Sequence, residues 1–376
     1  MAKSVISYQR TDKQKKVLVA LSGGVDSAVS AALLLEQGYT VSGAHMVCWD
    51  EGPYCTADQD RADAAKVASH LNIPFQVFDF RDEYKKQVIN YFYEEYAAGR
   101  TPNPDVACNR EIKFGIFLKQ ALELGYDYIA TGHYARVNKY QVASVTFQGG
   151  KQEKRLPITD YQLLAGRDPS KDQSYFLYNL TQEQLAHTLF PVGALLKTQV
   201  RELAARFKLP NATKKDSQGI CFIGNIEIDE FLRQKIKTRI GKVVNTAGRV
   251  LGTHSGIAFY TIGQRERLGI SEKIPHYVVA KQARTNTLVV APFGDGSHFQ
   301  QGFSAEKVNW IGKVPAVEEE VSVRVRYRQQ LVKATISSVG TNNVTLSLSE
   351  PQKAITAGQS VVIYQDDQVL GGGTIL

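Results

Sequence analysis

Val17-Leu18-Val19-Ala20-Leu21-Ser22-Gly23-Gly24-Val25-Asp26-Ser27 decides the fold of the first half of this chain. Five apolar residues read as a buried strand, two glycines as a tight turn, and the Ala- and Leu-rich run Ala28–Gln37 as the helix that follows. A strand–turn–helix of this kind gathers backbone N–H groups and the positive end of a helix dipole at one point, which suits phosphate. Gly23 and Gly24 let the backbone approach a phosphate without an intervening Cβ. Ser22 and Ser27 add hydroxyls. No G-x-x-x-x-G-K-[ST] is present, so this is not the loop built around a γ-phosphate lysine.

Outward from this stretch the pattern alternates. Strand-like runs at Thr40–Val47, Phe75–Phe78 and Tyr128–Ala130 are separated by helical runs at Asp58–His70, Asp82–Tyr96 and Lys113–Leu124. Strands alternating with helices predict a doubly wound parallel sheet, an α/β fold. Ligands of such sheets bind at the carboxyl ends of the strands. Ser22–Ser27, Met46 and Gly132-His133 all follow strand ends, so they are expected in one crevice. From Ile223 onward glycines punctuate shorter runs, which predicts a small β-rich unit. Val321–Tyr327, Val344–Leu348 and Ser360–Tyr364 then alternate with period two, which predicts a β-barrel. The expected division is 1–222, 223–295 and 296–376.

The chain has 376 residues, 43% of them hydrophobic, and a net charge of +8. It is long enough for two or three domains with real cores. No run approaches ~18 apolar residues, so no membrane span is expected. Residues 1–16 lack the apolar core of a secretory signal. Four cysteines (Cys48, Cys55, Cys108 and Cys221) are too few for a disulfide scaffold and form no C-x-x-C pair. The expectation is a cytoplasmic, monomeric protein. The basic balance fits a polyanion such as nucleic acid; ordinary solubility charge is the alternative.

Two thiols stand in unusual surroundings. Cys108 follows Thr101-Pro102-Asn103-Pro104-Asp105, where two prolines flank Asn103 and disfavour regular structure. Cys108 is therefore expected just before the next helix, at a helix N-terminus that favours thiolate, with polar neighbours arguing against deep burial. The other reading is a buried small hydrophobe. Cys221 lies in Asp216-Ser217-Gln218-Gly219-Ile220-Cys221-Phe222, a turn or loop with apolar flanks, and the same two readings apply. Asp105 either assists a proton transfer or merely forms the turn after Pro104. Arg324, Arg326, Tyr327 and Arg328 offer charge and a stacking ring to RNA, or form a solvated strand face.

The glycine turn resembles the pyrophosphate loop of the ATP pyrophosphatase superfamily. With P-N-P-D-x-x-C-N (102–109), T-G-H-Y-A-R (131–136), K-D-Q-S-Y-F (171–176) and D-S-Q-G-I-C-F (216–222) in order, the chain resembles the tRNA-specific 2-thiouridylase family almost end to end. That resemblance implies an enzyme that activates the C2 oxygen of a wobble uridine with ATP and replaces it with sulfur. It implies that Ala20, Leu21, Ser22, Gly23, Gly24, Val25, Asp26, Ser27, Met46 and Gly132 hold ATP, with Asp26 helping to hold Mg²⁺. It further implies that Asn103, Pro104 and Asp105 contact the target base. Cys221 would carry a persulfide and Cys108 would act as the second thiol. His133, Lys171, Asp172, Gln173, Arg326, Tyr327 and Gln359 match positions that touch tRNA. The implied partners are the tRNAs for Lys, Glu and Gln, through their anticodon region, and a sulfur carrier or cysteine desulfurase that donates the persulfide. Three rivals are another AMP-forming ligase, which leaves the thiols unexplained, a nucleotide-dependent tRNA-binding protein without thiolation chemistry, and an iron–sulfur cluster held by Cys108, Cys221 and a third ligand.

Overall fold

The computed structural model describes residues 15–51, 57–142, 145–148, 151–154, 158–216, 228–271 and 273–376. Cys55 and Cys221 lie outside the described residues.

Strands β1 (Lys16–Ala20), β2 (Thr40–Val47), β3 (Phe75–Asp79) and β4 (Tyr128–Ala130) form a parallel sheet. A later short strand, Thr188–Leu189, extends it beyond β4. The order is β3-β2-β1-β4 and then that last strand. Strands are added to one side of β1 as far as β3 and then to its other side from β4, and an open α/β sheet leaves a crevice at its carboxyl edge where the winding switches in this way. β1 is central and its two faces feed different cores. Leu18 and Ala20 pack with Phe80, Tyr84, Phe117 and Tyr175, whereas Val17, Val19 and Leu21 pack with Val29, Leu34, Val67 and Val200. This period-two division explains why the strand is apolar at every position after Lys16. Helix α1 (Val25–Glu36) buries Ala28, Val29, Ala31, Ala32 and Leu34; α2 (Ala57–His70) buries Ala64, Val67 and Ala68.

After β4 come β5 (Ala135–Val142), the hairpin β6 (Val145–Gln148) and β7 (Lys151–Lys154), and β8 (Ile158–Ala165), which pairs back on β5. With Thr188–Leu189 as β9, the middle of the chain supplies β10 (Gly241–Asn245), β11 (Val250–His254), β12 (His276–Gln282) and β13 (Thr287–Pro292), in the order β11-β10-β13-β12 around Val243, Val278, Leu288 and Val290. The carboxyl-terminal part is the expected barrel. It comprises β14 (Phe299–Trp310), β15 (Glu320–Arg324), β16 (Val332–Val339), β17 (Asn343–Lys353), β18 (Ser360–Gln365) and β19 (Gln368–Ile375), closed by pairing of β14 with β19. Alternate residues Val321, Val323, Val344, Leu346 and Leu348 fill it.

The sequence gives no hint of one join. Gln368 and Val369 of β19 pair with Leu164 and Leu163 of β8, so the β5–β8 hairpin of the first unit is hydrogen-bonded to the barrel. Among the described residues no helix is long and apolar enough to cross a membrane.

Candidate active site

Helix α1 starts without a side-chain cap. Gly24 is its N-cap residue with extended backbone, so the first-turn N–H groups keep their capacity for an anion. Gly23 has φ +79°, and a Cβ there would lie 2.5 Å from the Asp60 carbonyl oxygen; only glycine fits. Ser27 Oγ accepts from the Ser22 amide at 3.2 Å and donates to the Gly24 carbonyl at 3.2 Å, which fixes the turn. Gly132, at the end of β4, packs so close to α1 that a Cβ would meet Ser27 N at 2.7 Å. Met46 ends β2 nearly buried. Gly132 and the glycine turn therefore meet at the switch point.

Asp26 is not idle in this crevice. Lys197 Nζ lies 2.7 and 2.9 Å from its two carboxylate oxygens, and the Tyr134 hydroxyl donates to Oδ1 at 2.8 Å. Burial, reinforced by the neighbouring Asp26 carboxylate, pushes the Tyr134 phenol well above its ordinary range. Lys197 opens the helix Lys197–Arg206, and its amide is held by Asp168 Oδ2 at 2.9 Å. Lys197 and Asp216 are functional candidates that reading the sequence missed. Lys197 lies 171 residues beyond Asp26, outside any local motif, and only the fold brings its cation to the turn.

The Pro102–Asn109 segment differs from its expectation. The prolines do not exclude helix: Asn103 is an N-cap whose Oδ1 accepts from the Val106 amide at 3.3 Å, and Pro104 opens the helix Pro104–Cys108. Proline at the first helical position loses no hydrogen bond. Cys108 is thus the last residue of that turn rather than its start, and it runs on into a π-helical stretch, Asn109–Ile116. It is fully buried, contrary to the expectation drawn from its polar neighbours: Asn109 is buried with it and hydrogen-bonded to the Phe176 carbonyl, and only Arg110 is exposed. Asp105 is half-buried in the first turn of the same helix.

Residues 171–176 connect the two halves of the site. Gln173 Oε1 accepts from the Tyr134 amide at 3.0 Å, and Asn109 Nδ2 donates to the Phe176 carbonyl at 3.2 Å. Asp172 is buried; it accepts from the amides of Gly166 and Ser174 and pairs with Arg324 of β15. Lys171 pairs with Asp216 at 2.7 Å. His133 is buried between Phe114 and Phe190 and hydrogen-bonded to Thr131 Oγ1 at 2.7 Å. Burial pushes its pKa well below the usual histidine value. Neither Asp172 nor His133 presents a side chain to a macromolecule, and their geometry is that of internal braces.

The barrel reaches the Pro102 loop directly. Gln359 Nε2 donates to the carbonyls of Thr101 and Pro102 at 3.0 and 3.1 Å, and the Thr101 amide donates to the Ala357 carbonyl at 3.0 Å. Arg326 leaves the end of β15 and donates to the carbonyls of Ile262 and Ala354 and to Thr356 Oγ1. Tyr327 packs on Phe176 with ring centroids 4.4 Å apart. The arginines are therefore not one solvated strand face: Arg324 is an internal partner of Asp172, and Arg326 joins the central unit to the barrel. A groove of about 420 Å³, lined by Thr261, Ile262, Gly263, Gln264, Arg326, Thr356 and Gln359, opens beside this junction.

Comparison with known proteins agrees with this arrangement. The family described as tRNA methyl transferase HUP domain matches residues 15–225, tRNA methyl transferase PRC-barrel domain 229–292, and aminomethyltransferase beta-barrel domain 300–375. The chain is 46% identical over 372 residues to the tRNA-specific 2-thiouridylase MnmA of Halalkalibacterium halodurans, covering 96% of this chain and 95% of that protein. It is 44% identical over 375 residues to the protein of the same name from Nitrosomonas europaea, covering 96% and 98%.

This chain belongs to the tRNA-specific 2-thiouridylase family.

Among solved structures, a U34-tRNA thiolase from Methanococcus maripaludis with its [4Fe-4S] cluster aligns over 52% of this thiouridylase chain and 57% of its own, with 18% identity and a TM-score of 0.33. Likeness at that distance favours neither sulfur route. Among the described residues of the thiouridylase, no group of three or more His, Cys, Asp or Glu side chains is arranged to hold a metal ion. The turn suits a nucleotide: an uncapped helix start and a part-exposed carboxylate at Asp26. Magnesium is commonly held by one or two carboxylates together with substrate phosphates, so Asp26 suffices as the protein's share.

Proposed function

We propose that this chain is a tRNA 2-thiouridine synthase that uses ATP to activate the C2 oxygen of a wobble uridine and replaces that oxygen with sulfur. The near full-length identity to 2-thiouridylases carries this reading. The geometry around the glycine turn and the Pro102 loop supports it.

ATP phosphates lie over the amides of Gly23–Ser27, with Gly132 and Met46 lining the crevice. Asp26 helps to hold Mg²⁺, which supplies charge neutralisation for the leaving pyrophosphate. Lys197, drawn from Asp26 toward the phosphates, adds a cation at the same place. The uridine O2 attacks the α-phosphorus and pyrophosphate leaves, so that a poor leaving group becomes AMP. The terminal sulfur of a persulfide on Cys221 attacks C2 and AMP departs with the oxygen. The Cys108 thiolate then attacks the Cys221 sulfur. This forms a Cys108–Cys221 disulfide and releases the thiouridine; a thiol reductant reopens the disulfide before the next cycle. The burial of Cys108 keeps it from bulk reagents, which suits a thiol that meets its partner inside a formed complex.

Asn103, Pro104 and Asp105 face the flipped base, which costs little to extrude because the wobble nucleotide is unpaired. Lys171, Gln173, Arg326, Tyr327 and Gln359, with the adjoining groove, take the flanking RNA, and the 223–295 and 296–376 units form the second hand on the anticodon region of Lys, Glu and Gln tRNAs. A sulfur carrier or cysteine desulfurase loads Cys221, and the reaction is cytoplasmic. The test is Cys221→Ser with ATP-Mg²⁺ and unmodified tRNA. It is expected to release pyrophosphate and bind tRNA but form no thiouridine; full thiouridine yield by this variant would remove Cys221 from the persulfide role.

A further inference from the structure

Two carboxylates share one ammonium beside the glycine turn. Lys197 Nζ lies 2.7 Å from Asp26 Oδ1 and 2.8 Å from Asp216 Oδ1, and its side chain is only 13% exposed. Asp216 also pairs with Arg201 at 2.6 Å and with Lys171 at 2.7 Å. The result is a chain of charges, Lys171–Asp216–Lys197–Asp26, in which Lys171, Asp216 and Asp26 are each part-exposed (30, 32 and 30%) and only Lys197 is closed in. Arg201 is held in addition by the carbonyls of Ala212 and Lys214.

We propose that Asp216 is a positioning residue that couples the two ends, so that an RNA phosphate at Lys171 favours Mg²⁺-nucleotide at Asp26. This rests on the reading above that Lys171 meets tRNA. A phosphate that draws Lys171 away removes one cation from Asp216. Asp216 then holds Lys197 more strongly, because the surviving partners share less charge with it. Lys197 in turn loosens its grip on Asp26, whose oxygens become available to the metal ion that accompanies the nucleotide. Filling the nucleotide site works back along the same chain. The metal takes Asp26, Lys197 turns to Asp216 and the phosphates, and Lys171 is released toward RNA. Linkage requires the two effects to be equal in size.

The experiment measures the affinity of α,β-methylene-ATP with Mg²⁺, which cannot be cleaved between the α- and β-phosphates, by calorimetry at fixed ionic strength with and without unmodified tRNA. The wild type is expected to bind the nucleotide roughly fivefold or more tightly when tRNA is present, with tRNA binding tightened by the same factor. Asp216→Asn should bind both ligands with coupling near one. Lys171→Met, at a part-exposed position, should bind the nucleotide more tightly than wild type without tRNA and gain nothing further from it. A purely structural role for Asp216 predicts no such gain in Lys171→Met. Wild-type coupling in Asp216→Asn, or unchanged nucleotide affinity in Lys171→Met, overturns the coupling while leaving the thiouridylase reading intact. Failure of the wild type to bind tRNA at all overturns both.

Discussion

Gln359, on the loop before β18, donates to the carbonyls of both Thr101 and Pro102 at 3.0 and 3.1 Å, so the barrel directly braces the loop that carries Asn103, Pro104 and Asp105. The neighbouring Gly358 makes this possible. It has φ +90°, and a Cβ would lie 2.9 Å from both the amide nitrogen and carbonyl oxygen of Thr101. Gly358→Ala therefore meets a backbone clash and a disfavoured φ together, at a cost of about 1–3 kcal/mol. Urea denaturation should show the loss, and tRNA affinity should fall with it. Unchanged stability and affinity would mean that the loop and barrel are not coupled through this contact.

Lys197→Met should remove the cation at the nucleotide turn while leaving the glycine cradle. Loss of a charge-stabilising group of this kind lowers kcat by on the order of 10²-fold. Pyrophosphate release in the presence of tRNA reads it. A rate within twofold of wild type would return Lys197 to a purely structural pairing with Asp26.

The buried Asp172–Arg324 pair crosses from the first unit to the barrel. Asp172→Ala strands the half-buried Arg324 cation and should cost about 3–5 kcal/mol. The double variant Asp172→Ala/Arg324→Met removes both charges and should recover much of that loss in a denaturation midpoint. If the double variant is as unstable as the sum of the singles, the pair is not the source of the effect.

Acid sensitivity should come in two windows. Burial holds His133, His45 and His254 below the usual imidazole value of 6.5. Their unfolded forms take up protons that the folded forms refuse, so stability is full above about pH 6.5 and declines as pH falls below it. Partial burial works against ionisation of Asp216, but hydrogen bonds from Lys171 and Lys197 outweigh it and hold the carboxyl down at about 2. That stability is present above the ordinary value of 3.8 and is lost as pH falls toward 2. It is worth about 2 kcal/mol. Asp216→Asn should flatten the second window only, read as urea midpoint against pH; an unaltered slope below pH 4 would contradict the assignment.

Much of this was legible in the chain. β1 and α1 announce themselves because a central parallel strand is apolar on both faces and a glycine turn must follow it, and β2 falls on Thr40–Val47 as read. The barrel strands show because their inward residues alternate. The burial of Cys108 was not legible because the polar Asn109 beside it is buried too, satisfied by the distant Phe176 carbonyl. Lys197 and the β8–β19 pairing were invisible because contacts across 171 or about 200 residues leave no local pattern, and Asp216 because its partners Arg201 and Lys171, 15 and 45 residues away, belong to other elements. The brace roles of Asp172 and His133 were hidden for the same reason: a motif names residues without saying which way they face.

The central claim is tested most directly by mass spectrometry of digested tRNA after incubation of the purified protein with ATP, Mg²⁺, a persulfide source and unmodified tRNA. The account predicts 2-thiouridine at the wobble position, formed with one pyrophosphate and one AMP per sulfur. Pyrophosphate release with no thiouridine would contradict it and leave an adenylating enzyme of another kind.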